Sequence, residues 1–340
     1  MKVTIDEVAR KAGVSRATVD RVINQRGRVR GETVERVLGA MRSTRNLNEV
    51  SSQQGQGNSY RFDFVLPIAR TRYFEYFSKE IQTSENIFAL MQADVHVHTV
   101  PGFDPQALAD KLIEVGEESD GIAFVALDHP LVRAAVKTLR ARDLGVISLI
   151  SDVSYSERLA YVGIDNRAAG RTAGLLTGRF LGRPEHGEVA VFLGSHRYRG
   201  HEEREAGFKS MIRERFGQLT IVERPEVLDD DERSYLIASE LLSAHPHLLG
   251  IYNIGGGTSG ISRALQEKEG GKKVVFIAHE LNASTRKLML EGWVDAIINQ
   301  DIRQEIYAVV EMLLNHNEGR PVNQGIQMPK VEIFMSENTY

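Results

Sequence analysis

Residues 13–24 of this 340-residue chain, GVSRATVDRVIN, carry side chains at a spacing that can do chemistry. Ser15 follows a glycine turn and stands where a helix N-cap belongs. Arg16, Ala17, Thr18 and Arg21 then fall on the first turns of that helix. Arg16 can fork onto guanine O6 and N7, and the methyls of Ala17 and Thr18 can touch thymine. Thr4, Ser15, Thr18 and Asn24, with the basic run Arg26, Arg28 and Arg30, can hold phosphates. Asp20 places an acid in this surface. It can pair with Arg16 one helical turn back, accept from a cytosine amino group, or sit at the rim without a role. An ordinary three-helix domain that binds protein is the alternative for the whole segment.

A second pattern lies far along the chain. Gly255, Gly257 and Gly260 match G-x-G-x-x-G, after a strand-like run and before a helix, with Glu280 about 20 residues on. That is the arrangement of a dinucleotide fingerprint, in which a glycine loop and a helix N-terminus hold a pyrophosphate. The unit comes late in a long chain, and no Tyr-x-x-x-Lys or comparable catalytic set stands near it. The expectation is therefore no enzyme and no cofactor, with a nucleotide-binding regulator or oxidoreductase as the alternative. His96, His98, His129, His196 and His201 lack zinc-ligand spacing, so no metal is expected. Asp229, Asp230 and Asp231 read as a solvated loop and helix start.

The elements that must position these groups fall into two kinds. TIDEVARKAG reads as a short helix, with Thr4 and Glu7 as a capping box and Ile5, Val8, Ala9 and Ala12 as its stripe. The next helix buries Val19, Val22 and Ile23, and a third, about 31–41, buries Val34, Val37, Leu38 and Met41. Residues 1–47 form this small all-α head, and 48–59, NEVSSQQGQGNS, read as a flexible linker. From Tyr60 to the end the pattern changes to alternating strands and helices. RFDFVLPI, DVHVHTV, GIAFVAL, GVISLI, AYVGI, GEVAVFLG, LTIVE, LLGIYNIG, KVVFIAH and VDAIINQ read as strands. Near-continuous apolar strands between amphipathic helices mean parallel sheets covered on both faces. Ten strands are too many for one tidy sheet, so residues 60–340 are expected to form an α/β domain of two lobes around a cleft.

Ligands of such folds bind at the carboxyl ends of strands. Tyr73, Phe74, Asp128, Ser151, Asp152, Arg204, Asn253, His279, Glu280 and Gln300 fall near those ends. Aromatic faces with carboxylates, amides and an arginine suit a sugar ring and its hydroxyls. Each can instead be a cap or loop residue, Asp152 and Glu280 especially.

Charge and composition limit the function class. Residues 1–50 carry a net +5 and the remaining 290 a net −9, so a basic head sits on an acidic body. Such a head suits a polyanion, although a solvated basic face has the same composition. The chain has no cysteine, no apolar run approaching the roughly 18 residues of a membrane span, and an N-terminus unlike a signal peptide. A cytoplasmic protein without a membrane partner is expected.

The stretch VTIDEVARKAGVSRATVDRVINQRGRVRGETVERVLGAM resembles the head of the LacI family of bacterial repressors. The order of head, linker and two-lobed domain is also similar to that family, whose body is like a periplasmic sugar-binding protein. The resemblance implies a homodimeric or larger transcription regulator. It would bind a pseudo-palindromic operator and answer to a small sugar, polyol or sugar derivative, most often as a repressor. It also strengthens Arg204, within EREAGF, and the strand-end acid and amide positions as effector contacts. Three departures stand out. Asp20 replaces a common serine, and the linker lacks the family's Pro-, Ala- and Leu-containing hinge, so a weaker or different hinge contact in the minor groove is expected. NIGGGTSG and AHE replace Asn-Asp and a strand-end acid, with His279 where a carboxylate is common. The effector is then not held as ribose or a purine is; a polyol, a modified sugar and an anionic sugar derivative all stay open.

Overall fold

The computed structural model describes residues 5–23, 33, 36–37, 40, 59–68, 72–182, 184–268 and 273–339. Thr4, Asn24, Arg26, Arg28, Arg30, most of the third head helix and nearly all of the linker lie outside the described residues, and of Asp20 only the backbone is described. The chain divides into two compact units, one holding the N-terminal head and one holding residues 60–89 and 93–340.

In the head, α1 (Ile5–Ala12) and α2 (Arg16–Ile23) are joined by Gly13 at φ +64°. That left-handed turn is open to glycine without cost. The Ser15 hydroxyl accepts from the Thr18 amide at 3.2 Å and so caps α2. Val8, Ala9, Ala12, Val19, Val37 and Ala40 form the small core, with Val14 packed on it. The opposite side of α2 keeps Arg16, Ala17 and Arg21 exposed.

The body has two sheets. The first orders its strands β2-β1-β3-β4-β5, with β1 Tyr60–Ile68, β2 Ala93–Pro101, β3 Gly121–Phe124, β4 Gly145–Leu149 and β5 Ala160–Val162, all parallel. Helices α3 (Arg72–Thr83), α4 (Glu85–Leu90), α5 (Pro105–Val115) and α6 (Pro130–Arg140) link them. The second sheet holds β6 (Gly187–Phe192), β7 (Leu219–Glu223), β8 (Leu248–Asn253), β9 (Val275–His279), β10 (Ala296–Asn299) and β11 (Glu332–Phe334). Its order is β11-β10-β9-β8-β6-β7, parallel except for the β10–β11 pair. With it run α7 (Asn166–Phe180), α8 (Arg199–Arg215), α9 (Asp231–Ala244), α10 (Thr258–Glu267) and α11 (Ala283–Leu290). The last helix, α12 (Ile302–Asn317), returns to the first lobe, where Leu313 packs over Gly121 and Gly145.

The ten strand-like runs read from the sequence all form strands; only the short β11 lacks a counterpart there. Strand β6 explains the pattern. Val189 and Val191 face a cluster with Ala169 and Ala173 of α7 and Phe208 and Met211 of α8. Ala190 and Phe192 face another with Leu241 of α9 and Ile261 of α10. Alternate residues point to opposite faces and both faces are covered, so each buried position from Val189 to Phe192 is apolar. Among the described residues no helix is long and apolar enough to cross a membrane.

Candidate functional site

The cleft between the two lobes of the body opens at the carboxyl ends of both sheets. Phe74, Val125, Ile150 and Ser151 line it from the first lobe, and Tyr198, Gly200, His201, Arg204, Asp229, Gly255, Gly256 and Glu280 from the second. The cavity they enclose is about 30 Å³, space for a water or two and not for a sugar ring. An adjoining pocket of about 160 Å³ shares Asp229, Gly255, Gly256 and Glu280 and adds Asp231, His279 and the start of α10.

Arg204 is the centre of the second-lobe wall. Its backbone is fixed by contact between α7 and α8: a Cβ on Gly170 would lie 1.8 Å from the Arg204 carbonyl oxygen, and one on Gly207 would lie 2.2 Å from that of Arg167. Only glycine allows the two helices to come this close. The guanidinium is buried, at 3% exposure. It donates from Nε to Asn166 Oδ1 at 2.7 Å and from Nη1 to the Ile254 carbonyl at 3.0 Å.

Behind the lining lies a buried polar layer. Gln300 donates to the Tyr73 hydroxyl at 3.0 Å, and that hydroxyl faces Glu305 Oε2 at 3.5 Å. Tyr252 and His279 meet at 2.7 Å. Asn253 donates from Nδ2 to the carbonyls of Gly255 and Gly256 and to the Thr258 hydroxyl, all at 3.0 Å, and so holds the glycine loop in place. Burial shapes the charges here. It pushes the Asp229 carboxyl up to about 6 against the pull of the Gly256 amide and Arg204, and Glu280 up to about 7 against Arg204. Glu305 is held well above the usual carboxylate range for the same reason. Burial, aided by Arg204, drives His201 down to about 3 and His279 well below its ordinary value, so both are neutral. Ile150, Asp229 and Glu280 have φ of +65°, +54° and +70°. Three non-glycine residues in that region around one cavity mark stored strain of a kind that concentrates at binding sites.

The residues expected from sequence are thus spread over three settings. Phe74, Ser151, Arg204 and Glu280 line the cleft. Tyr73, Asn253 and Gln300 are buried in the layer behind it, and His279, also buried, borders the adjoining pocket. Asp128 and Asp152 have other partners. Asp152 accepts two bonds from Arg158, each 2.5 Å, and one from Ser148 at 2.6 Å. Asp128 accepts from Arg133 at 2.7 Å and from the Ser154 hydroxyl at 2.5 Å. The Asp128 amide donates to the Arg197 carbonyl at 3.0 Å, and Arg199 reaches Ser154 Oγ at 2.8 Å, so this cluster bridges the lobes. Phe103 and Tyr198 add an aromatic contact at 5.2 Å, and Gly200 donates to Ser151 Oγ at 3.2 Å.

The reading of the Asp229–Asp231 run as solvated needs correction. Asp230 does cap α9, accepting from the Arg233 amide at 2.8 Å. Asp229, however, turns into the cleft and accepts from the Gly256 amide at 2.8 Å. Tyr198, His201, Asp229 and Glu305 were not among the expected contacts. His201 and Glu305 sit on helices, and only the packing of separate elements brings them here.

The glycine motif has a different use from a phosphate loop. The Gly256 amide is already given to Asp229, and Gly260 packs where a Cβ would lie 1.8 Å from the Asp231 carbonyl oxygen. Carboxylates of Asp229, Asp231 and Glu280 surround the place a pyrophosphate would occupy. Among the described residues no group of three or more potential ligands could hold a metal.

Comparison with known proteins agrees with both units. Residues 105–321 match a periplasmic binding protein domain, and residues 4–45 match the lacI family of bacterial regulatory proteins. The sucrose operon repressor of Klebsiella pneumoniae is 28% identical over 242 residues, 66% of this chain and 64% of that protein. The HTH-type transcriptional regulator pepR1 of Lactobacillus delbrueckii subsp. lactis is 28% identical over 170 residues, 49% of each. The chain therefore spans between half and two thirds of these relatives. A solute-binding protein of Burkholderia graminis, solved with D-arabinose, superposes with a TM-score of 0.74 at 22% identity, over 84% of this chain and 98% of that one. At that identity the likeness is one of fold.

Proposed function

Because the chain belongs to the periplasmic binding protein domain family and begins with a lacI-family head, we propose that it is a cytoplasmic, effector-controlled transcription regulator. The reading is a homodimer, or larger, that represses genes of sugar or polyol metabolism from a pseudo-palindromic operator. The names of its relatives support the class: one is a sucrose operon repressor, and a structural neighbour holds D-arabinose.

The observation that carries the reading is the closed cleft. The central cavity of about 30 Å³ beside Arg204 cannot take a sugar from the outer space of about 380 Å³ at Phe103, Tyr198 and Asp229 while the lobes are tied by Asp128 to Arg197, by Arg199 to Ser154 and by Ser151 to Gly200. Occupancy must therefore change the angle between the lobes. In a dimer that angle sets the spacing of the two recognition helices, which must match half-sites about one helical turn apart. The effector acts only through its different affinities for the two lobe arrangements, and a coupling of about 1–3 kcal/mol changes operator affinity roughly 5- to 150-fold.

The exposure of Arg16, Ala17 and Arg21 on α2 supports the reading in which they meet base edges while Ser15 and Thr18 hold phosphates. A mobility-shift assay on the selected operator tests the proposal. Sugars and polyols that raise the melting temperature of the protein should also change operator affinity. A saturating cleft ligand that leaves operator affinity unchanged would overturn it.

A further inference from the structure

The charge balance of the cleft restricts what can fill it. Asp229 and Glu280 line the cavity, and Glu305 stands behind Tyr73. Asp231 lines the adjoining pocket. Against these four carboxyl groups the linings offer one cationic side chain, Arg204. It is committed to Asn166 and to a backbone carbonyl, and among the described residues it makes no ion pair with any of the acids. The two histidines do not help, since the fold holds both neutral.

Hydrogen-bonding capacity is unbalanced in the same direction. Glu305 Oε1, Gln300 Oε1 and Asn253 Oδ1 are buried without a partner, in residues at most 3% exposed. The amide orientations are settled by their neighbours. Asn253 Nδ2 faces two backbone carbonyls, which can only accept, and Gln300 Nε2 faces a hydroxyl that is turned towards Glu305. The free amide oxygens of Asn253 and Gln300 are then acceptors. Buried polar atoms and carboxylates without partners are costly; these atoms stand in the layer behind the lining, and a ligand that brings positive charge relieves the carboxyl groups that line the cleft itself.

We infer that the effector carries a protonated amine among its hydroxyls, an amino sugar or amino polyol, with the ammonium set between Asp229 and Glu280. Arg204 and the aromatic walls then take the hydroxyls and the ring. An anionic sugar derivative, left open by the sequence, meets the wrong charge. This inference rests on the cleft being the effector site.

The test uses the full chain and matched sets of ligands: D-glucosamine, D-glucose and D-glucuronate, and the corresponding galactose and mannose sets, in thermal-shift and calorimetric titrations. In at least one set the amine should bind tenfold or more tightly than its parent sugar, with the acid giving no shift. Glu280→Gln should reduce that preference to less than threefold while the parent sugar still binds; Glu305→Gln, in the buried layer, provides a second variant if the first does not fold. A neutral sugar or acid that binds as tightly as the amine, and loses binding in Arg204→Met, would overturn the inference and leave the cleft reading intact. If no member of any set shifts the protein, the inference falls as well, and the operator assay judges the cleft reading separately.

Discussion

Gly170→Ala tests how Arg204 is positioned. The added Cβ would lie 1.8 Å from the Arg204 carbonyl oxygen and 2.8 Å from its Cα, so α8 must retreat by about 1.2 Å to reach even a 3.0 Å contact. If the guanidinium moves with its helix, its bonds of 2.7 and 3.0 Å to Asn166 and Ile254 pass the 3.5 Å limit. Overpacking of this kind costs about 1–3 kcal/mol, and a buried bond to a charged group contributes about 1.5–3 kcal/mol. With partial relaxation the loss is about 4 kcal/mol, or roughly 10 °C in Tm at about 2–4 °C per kcal/mol for a domain of this size. Effector affinity should fall at least tenfold, because the group that meets the ligand has moved. Calorimetric melting and ligand titration read the two effects. Gly217→Ala is the control, since its Cβ would meet nothing nearer than 3.6 Å. A Gly170→Ala protein that melts within 2 °C of the parent would refute the argument from close helix contact.

Glu280 is raised from 4.5 to about 7, so between those pH values the folded state keeps a proton that the unfolded chain has lost. Stability from this group falls as pH rises through that window, by about 3 kcal/mol, and is constant above it. Glu280→Gln should therefore gain on the parent by roughly 6 °C in Tm between pH 5 and pH 8; a constant difference would contradict the burial of this carboxyl. His201 has the opposite sign: it stays neutral down to about 3, and its unfolded counterpart takes up a proton below 6.5, so the parent loses stability as pH falls from there. Asp128→Ala should cost about 1–2 kcal/mol by removing the carboxylate that holds Arg133 and the Ser154 hydroxyl bonded by Arg199, while the backbone bond to Arg197 stays, and should leave the ranking of effectors unchanged. A changed ranking would mean that Asp128 touches the ligand. Asp20→Ser should raise affinity for all duplexes alike, read by fluorescence anisotropy on operator variants; a changed preferred sequence would make Asp20 a base-reading residue.

What the sequence made legible follows from which forces are local. The strands were readable because both sheet faces are buried, which makes runs such as 189–192 continuously apolar. The β11 strand was not, because its three residues pair antiparallel at the sheet edge and bury no apolar run. Ser15 and Gly13 announced the turn into α2 through their backbone chemistry. At the cleft, Glu280 was legible from its place at the end of β9, and Arg204, inside α8, from the EREAGF stretch. Asp229 was hidden in a run of three acids, two of which begin a helix as such acids usually do. Glu305 stands in the first turn of α12, where an acid is ordinary, and only the return of that helix to the first lobe buries it beside Tyr73. Asp128 and Asp152 sat at the right strand ends, but their nearby arginines Arg133 and Arg158 claim them. Nothing in a linear pattern distinguishes an acid facing a ligand from one facing an arginine on the next turn.

The central claim is that one buried guanidinium in the body decides what the head does on DNA. The most direct measurement is operator affinity of the parent and of Arg204→Met, with and without saturating cleft ligand. The account predicts equal affinity without ligand, a change of at least fivefold in the parent when ligand is added, and none in the variant. An Arg204→Met protein that responds to the ligand as the parent does would contradict it.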